Sequence, residues 1–274
     1  MTASEPVVTV EVVTPEKAAE WLVGNTHNRR QKATAIEKYA EDMAAGRWDL
    51  NGESLKFNGD GRLLDGQNRL LAVVQSRATI RSVVVRGVSA AAQDTMDVGV
   101  SRRLSDVLQL RGEVNTIDLS SGIVTLWRWT QDPADSSFTG GPSIHQALAF
   151  LEEHPGLRHS VNEAEKVRKA IGLRGSIGIA LHYITSSIDA TDAEGFWGRL
   201  VSGTELTNDD PILLLRNALL ADRSAAGLKG QRMSRAKTWA LCVKSWNAYR
   251  EGAKVKLLVW RPGGARPEAF PVPS

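Results

Sequence analysis

The chain has 274 residues, 42% hydrophobic and 24% charged, a balance that excludes a disordered or fibrous protein. Its single cysteine, Cys242, excludes a disulfide framework and a zinc site of clustered cysteines, and the setting reads as cytoplasmic. The net charge of +3 is uneven: residues 1–100 hold 12 Lys/Arg against 13 Asp/Glu, residues 101–229 hold 13 against 16, and residues 230–274 hold 9 against 2. No apolar run approaches the ~20 residues needed to cross a bilayer, so no membrane partner is expected. Met1 to Pro6 lack the basic-then-apolar order of a signal peptide.

Val7 to Val13 alternates and is rich in β-branched residues, which predicts a strand. Thr14-Pro15-Glu16 then offers a capping hydroxyl, a first-turn proline and an acid, and starts a helix to about Val23. After the polar loop Asn25 to Arg30, Ile36, Tyr39, Ala40 and Met43 recur at helical spacing within Thr34 to Ala45. Ser54 to Phe57 reads as a short strand, Asn58-Gly59-Asp60-Gly61 as a tight turn, and Arg62 to Leu64 as the returning strand. Asp65-Gly66-Gln67-Asn68-Arg69 opens an apolar helix, and Ile80 to Val85 is the next strand. Residues 1–100 are thus expected to form an α+β domain. A helix over Ala90 to Met96 and a turn at Asp97 and Gly99 lead to Arg102 and Arg103, which begin the next helix.

Residues 101–274 read as a mostly α-helical domain. The expected helices are 104–110, 117–131, 143–153, 158–171, 177–188, 193–201, 211–221 and 234–251, with proline or glycine at nearly every break. Asp135 to Pro142 is the most linker-like segment, and Lys256 to Trp260 reads as a last strand. Trp239, Val243, Trp246 and Tyr249 make one stripe on the final helix, at the spacing of a core face. Around it, Arg232, Arg235, Lys237 and Lys244 are candidate nucleic-acid contacts, with a solvated helix face as the plainer reading. His145, His154, His159 and His182 show no metal-ligand spacing, so no metal site is assigned. Walker-type, Gly-x-Ser-x-Gly and His-Glu-x-x-His motifs are absent.

The chemistry concentrates at Leu64-Asp65-Gly66-Gln67-Asn68-Arg69. A glycine between strand and helix lets backbone N–H groups approach a ligand, and the first helical N–H groups have no internal partner. Together with the positive end of the helix dipole they suit a phosphate. Arg69 adds a forked cation. Asp65 is the candidate catalytic residue, as metal ligand or general base; capping the helix is its alternative role. His27 is a weaker candidate donor or base.

The stretch Arg62-Leu63-Leu64-Asp65-Gly66-Gln67-Asn68-Arg69-Leu70-Leu71-Ala72 resembles the strand-to-helix signature of the ParB/sulfiredoxin superfamily. Asn28-Arg29-Arg30 stands where partition proteins carry a Gln-Pro-Arg-type motif. Met96-Asp97-Val98-Gly99, Arg102-Arg103 and Trp246-Asn247 are similar to a phage or prophage subset of that superfamily. The resemblance implies a nucleotide site for CTP or ATP, built from Gly66, Gln67, Asn68 and Arg69 and closed by Asn28, Arg29 and Arg30, in a protein working on or near DNA. Gln67 replaces an acid of the partition signature, which weakens the case for Mg. The sulfiredoxin cysteine is missing, which excludes sulfinic-acid reduction, and Asn68 replaces the histidine of the serine kinase form. The alternatives are a phosphotransferase or nuclease centred on Asp65 and Arg69, and a non-catalytic protein that binds a host protein.

Overall fold

The computed structural model describes residues 5–23, 33–89, 92, 103–225 and 232–274. The chain is α+β and divides into two compact units, Met1–Ser101 and Arg102–Ser274.

In the first unit, β1 (Val7–Val13), α1 (Pro15–Val23), α2 (Ala33–Ala44), β2 (Ser54–Asn58), β3 (Leu63–Asp65), α3 (Gln67–Ser76) and β4 (Ile80–Val88) follow in that order. The Thr14 hydroxyl accepts from Lys17 N–H at 3.3 Å, so the predicted cap at Thr14-Pro15 forms. The sheet order is β1-β4-β2-β3; β1 is antiparallel to β4, β2 parallel to β4, and β3 antiparallel to β2. Alternation along the strands turns Val13, Leu55, Phe57 and Val84 into a core with Ala18, Ile36, Met43, Leu70 and Val73 from the helices. Each large side chain buried there contributes roughly 1.5–3 kcal/mol. Trp48 packs on this core and meets Tyr39 edge-on at 5.3 Å. The other face of β1 presents Val8, Val10 and Val12, which are 50–62% exposed. Lys17 Nζ reaches the Val12 carbonyl at 3.3 Å.

The second unit holds α4 (Leu104–Leu110), α5 (Thr116–Gln131), α6 (Ile144–Glu153), α7 (Leu157–Ile171), α8 (Gly175–Ile188), α9 (Ala190–Ser202), α10 (Pro211–Ser224) and α11 (Arg235–Arg250). Its boundaries follow local chemistry. Ser143 and Gln146 form a capping box on α6, Asp189 caps α9, Asp210 caps α10 ahead of Pro211, and Ser234 caps α11. The α11 stripe is core: Trp239, Val243 and Trp246 are at most 1% exposed.

Two expectations fail here. Lys256 to Trp260 is not a strand: the second unit offers no partner strand among its described residues, and Leu257 is exposed. The linker-like composition of 135–142 also misleads, because Phe138 packs edge-on against Trp239 at 5.6 Å and Phe270 at 6.2 Å. No helix among the described residues is long and apolar enough to cross a membrane.

Candidate functional site

The turn between β3 and α3 is set by the hairpin before it. Asn58 Oδ1 accepts from the N–H groups of Asp60 at 3.1 Å and Arg62 at 2.7 Å, fixing the tight turn. The returning strand then places Asp65 opposite Lys56, with an irregularity at Lys56/Phe57. Lys56 Nζ donates to Asp65 Oδ2 at 2.8 Å.

Gly66 follows in the left-handed region, φ 104°, and stands at the N-cap of α3 with no side-chain cap bond. A Cβ at Gly66 would lie 2.3 Å from Leu55 Cδ2. Glycine is therefore required by both backbone conformation and packing. The close approach it permits is that of Leu55 from the neighbouring strand, and Gly66 itself is buried.

Asp65 does not cap the helix. Its carboxylate sits between Lys56 and Arg69, whose Nη2 lies 3.5 Å from Asp65 Oδ2 and donates to the Ser54 carbonyl at 3.0 Å. The Asp65 and Arg69 side chains are only 11% and 13% exposed. Arg69 Nη1 is buried and has no hydrogen-bond partner among the described residues. No backbone acceptor is found among the described residues for the N–H groups of Gln67, Asn68 and Arg69, and the first bond of α3 runs from Leu70 N–H to the Gly66 carbonyl at 3.0 Å. Two cations and one carboxylate leave the cluster one positive charge in excess, at the positive end of a helix dipole.

The structure thus brings Asp65, Gly66, Gln67, Asn68 and Arg69 into one turn. His27, Asn28, Arg29 and Arg30 lie outside the described residues, as do Met96 to Arg102; Arg103 stands at the N-cap of α4 in the second unit. Lys56 belongs to this group and was missed by the sequence reading. Its signal was positional: in an alternating strand, Lys56 lies on the face opposite Leu55 and Phe57 and two residues before the turn.

The four basic candidates of the last stretch part company. Arg232 is bonded to Asp222, whose side chain is 4% exposed, at 2.9 and 3.2 Å. Lys244 pairs with Glu268 at 2.8 Å. Lys237 is exposed on the first turn of α11, and Arg235 is half-buried beside it. No group of three or more potential metal ligands occurs among the described residues.

No family model matches this chain, and neither a curated protein nor a solved structure matches it.

Proposed function

We propose that the first unit binds the phosphate groups of a nucleotide, CTP or ATP, at the β3–α3 turn, and that the protein acts on or near DNA in the manner of a ParB-like protein. The observation that carries this reading is Arg69 Nη1, a buried guanidinium nitrogen at the start of α3 without an acceptor among the described residues. A buried cationic donor left unpaired is costly, and a phosphate oxygen relieves that cost while also meeting the α3 N–H groups. The excess positive charge of Lys56 and Arg69 over Asp65 acts in the same direction. Binding is favoured over catalysis because Asp65 Oδ2 already takes both Lys56 and Arg69 as partners.

The test is calorimetric titration of the full chain with CTP, ATP and GTP, with and without duplex DNA. Arg69→Lys, which keeps the charge but loses the fork, is expected to weaken binding by roughly tenfold or more. Flat titrations with all three nucleotides in a folded sample reject the reading.

A further inference from the structure

Outside that turn, three arginines from three helix regions of the second unit come together with no carboxylate paired to any of them among the described residues. Arg235 opens α11 and donates through Nη2 to Thr125 Oγ1 of α5 and Ser176 Oγ of α8, both at 3.3 Å. Arg174, at the N-cap of α8, donates to the Met233 carbonyl just before α11 at 2.6 Å. Arg128, one turn beyond Thr125 on α5, donates through Nε to the Gly140 carbonyl at 2.8 Å. Every one of these acceptors is neutral, and none of the three arginines forms an ion pair among the described residues. The nearby carboxylate of Asp118 lies beside Gly175, but its charge acts on Arg168.

Proteins rarely hold three cations this way without compensation. Burial, and after it the charge of Arg235, lowers the pKa of Arg128. Burial, and after it Arg174, lowers that of Arg235. Arg128 thus feels the charge of Arg235, and Arg235 that of Arg174. Arg235 Nε is buried without a partner among the described residues. The indole N–H groups of Trp239, one turn along α11, and Trp129, one turn along α5 from Thr125, are also buried without acceptors. Phe138 covers the Arg235 guanidinium, 5.4 Å from ring centroid to Cζ, from a left-handed backbone with φ 53°. That conformation is unusual for a bulky residue and marks a segment held in place by its contacts.

We propose that Arg128, Arg174 and Arg235 form a receptor for a phosphate-type oxyanion, with Phe138 as its apolar wall. The N-termini of α8 and α11 meet there and add their dipoles. Guanidinium forks match the tetrahedral face of a phosphate, and a doubly charged anion offsets most of the excess charge. The ligand is a phosphate group, carried by a small molecule or by a nucleic-acid backbone.

Thermal unfolding of the full chain is followed in chloride, in inorganic phosphate and in pyrophosphate at matched ionic strength, and with a short DNA duplex. A rise in melting temperature with phosphate or pyrophosphate assigns the site to small ligands; a rise with the duplex alone assigns it to a nucleic-acid backbone. Arg235→Gln is expected to weaken the responding ligand by roughly tenfold. Arg128→Gln, which leaves the start of α11 intact, is the second variant if the first does not fold. Arg69→Gln in the other unit is expected to leave this response in place, which separates the site from the nucleotide turn. No response to any anion beyond chloride, or a response in Arg128→Gln and Arg235→Gln as large as that of the unsubstituted chain, overturns the proposal.

Discussion

At the β3–α3 turn a carboxylate stands between two cations, whereas at the α5, α8 and α11 ends three guanidiniums share only neutral acceptors. The first arrangement is partly balanced from within, with one positive charge in excess. Lys56 and Arg69 hold Asp65, and Arg69 also ties the start of β2 to α3 through the Ser54 carbonyl. The second has no ion pair among the described residues, so its order rests on carbonyls, hydroxyls and one aromatic ring. The contrast separates cations held by a carboxylate of the fold from cations held only by neutral acceptors.

The largest effect is expected where that holding depends on backbone shape. Gly66→Ala places a methyl group against Leu55 and forces an L side chain into φ 104°. A loss of about 3 kcal/mol in urea unfolding is expected, with the helix content of the second unit retained. A midpoint within error of the parent would show that the turn is not rigid.

Charge comes next. Asp65→Asn leaves Lys56 and Arg69 facing each other and is expected to cost about 2 kcal/mol in the same measurement. Ser176→Asp does the reverse at the other cluster, supplying Arg235 with a carboxylate in the first turn of α8. It is expected to raise stability by about 1 kcal/mol and to abolish the phosphate response. A neutral Asp65→Asn together with a destabilising Ser176→Asp would reverse the contrast.

The most gradual effect is that of pH, and it separates the two units. His182, hydrogen-bonded to Ser160 at 3.0 Å, is pushed from 6.5 to about 4 chiefly by burial, with His159 and Lys166 adding to the shift and Glu163 opposing it. The unfolded chain takes up that proton first, so the helical unit is expected to lose stability as pH falls from 6.5 toward 4. Glu11, held by Arg86 first and Lys17 after it, is lowered from 4.5 to about 2. Its contribution to the sheet is present above 4.5 and is lost as pH falls toward 2. Tryptophan fluorescence and amide exchange across an acid titration should show the helical unit weakening first, and simultaneous loss would refute the assignment.

Much of the fold was legible because local chemistry places the boundaries. Thr14-Pro15, Ser143 with Gln146, and Asp210-Pro211 start helices where their caps predict. The sites were less legible because they depend on pairing and distance. The charge at Asp65 is explained by Lys56, which becomes its neighbour only through the antiparallel register. Arg128, Arg174 and Arg235 come from separate helix regions, and only tertiary packing collects them. Counting charge along the last stretch also misled. Arg232, Lys244, Arg250 and Lys254 are engaged by Asp222, Glu268, Asp192 and Asp209, so the local excess of +7 is partly cancelled, mostly by acids from earlier in the chain. Asp135 to Pro142 has the composition of a tether, yet one aromatic residue in it is enough to dock the loop.

The outer position of β1 has a consequence for how densely this protein can be packed in solution. A seven-residue border strand, Val-Val-Thr-Val-Glu-Val-Val, contains neither proline nor lysine, the two residues that most often discourage strangers from joining a sheet. Among the described residues one ammonium reaches its backbone, from Lys17 to Val12, and it must also serve Glu11. At high concentration this border, with Val8, Val10 and Val12 exposed, is therefore the place where a second strand is expected to add.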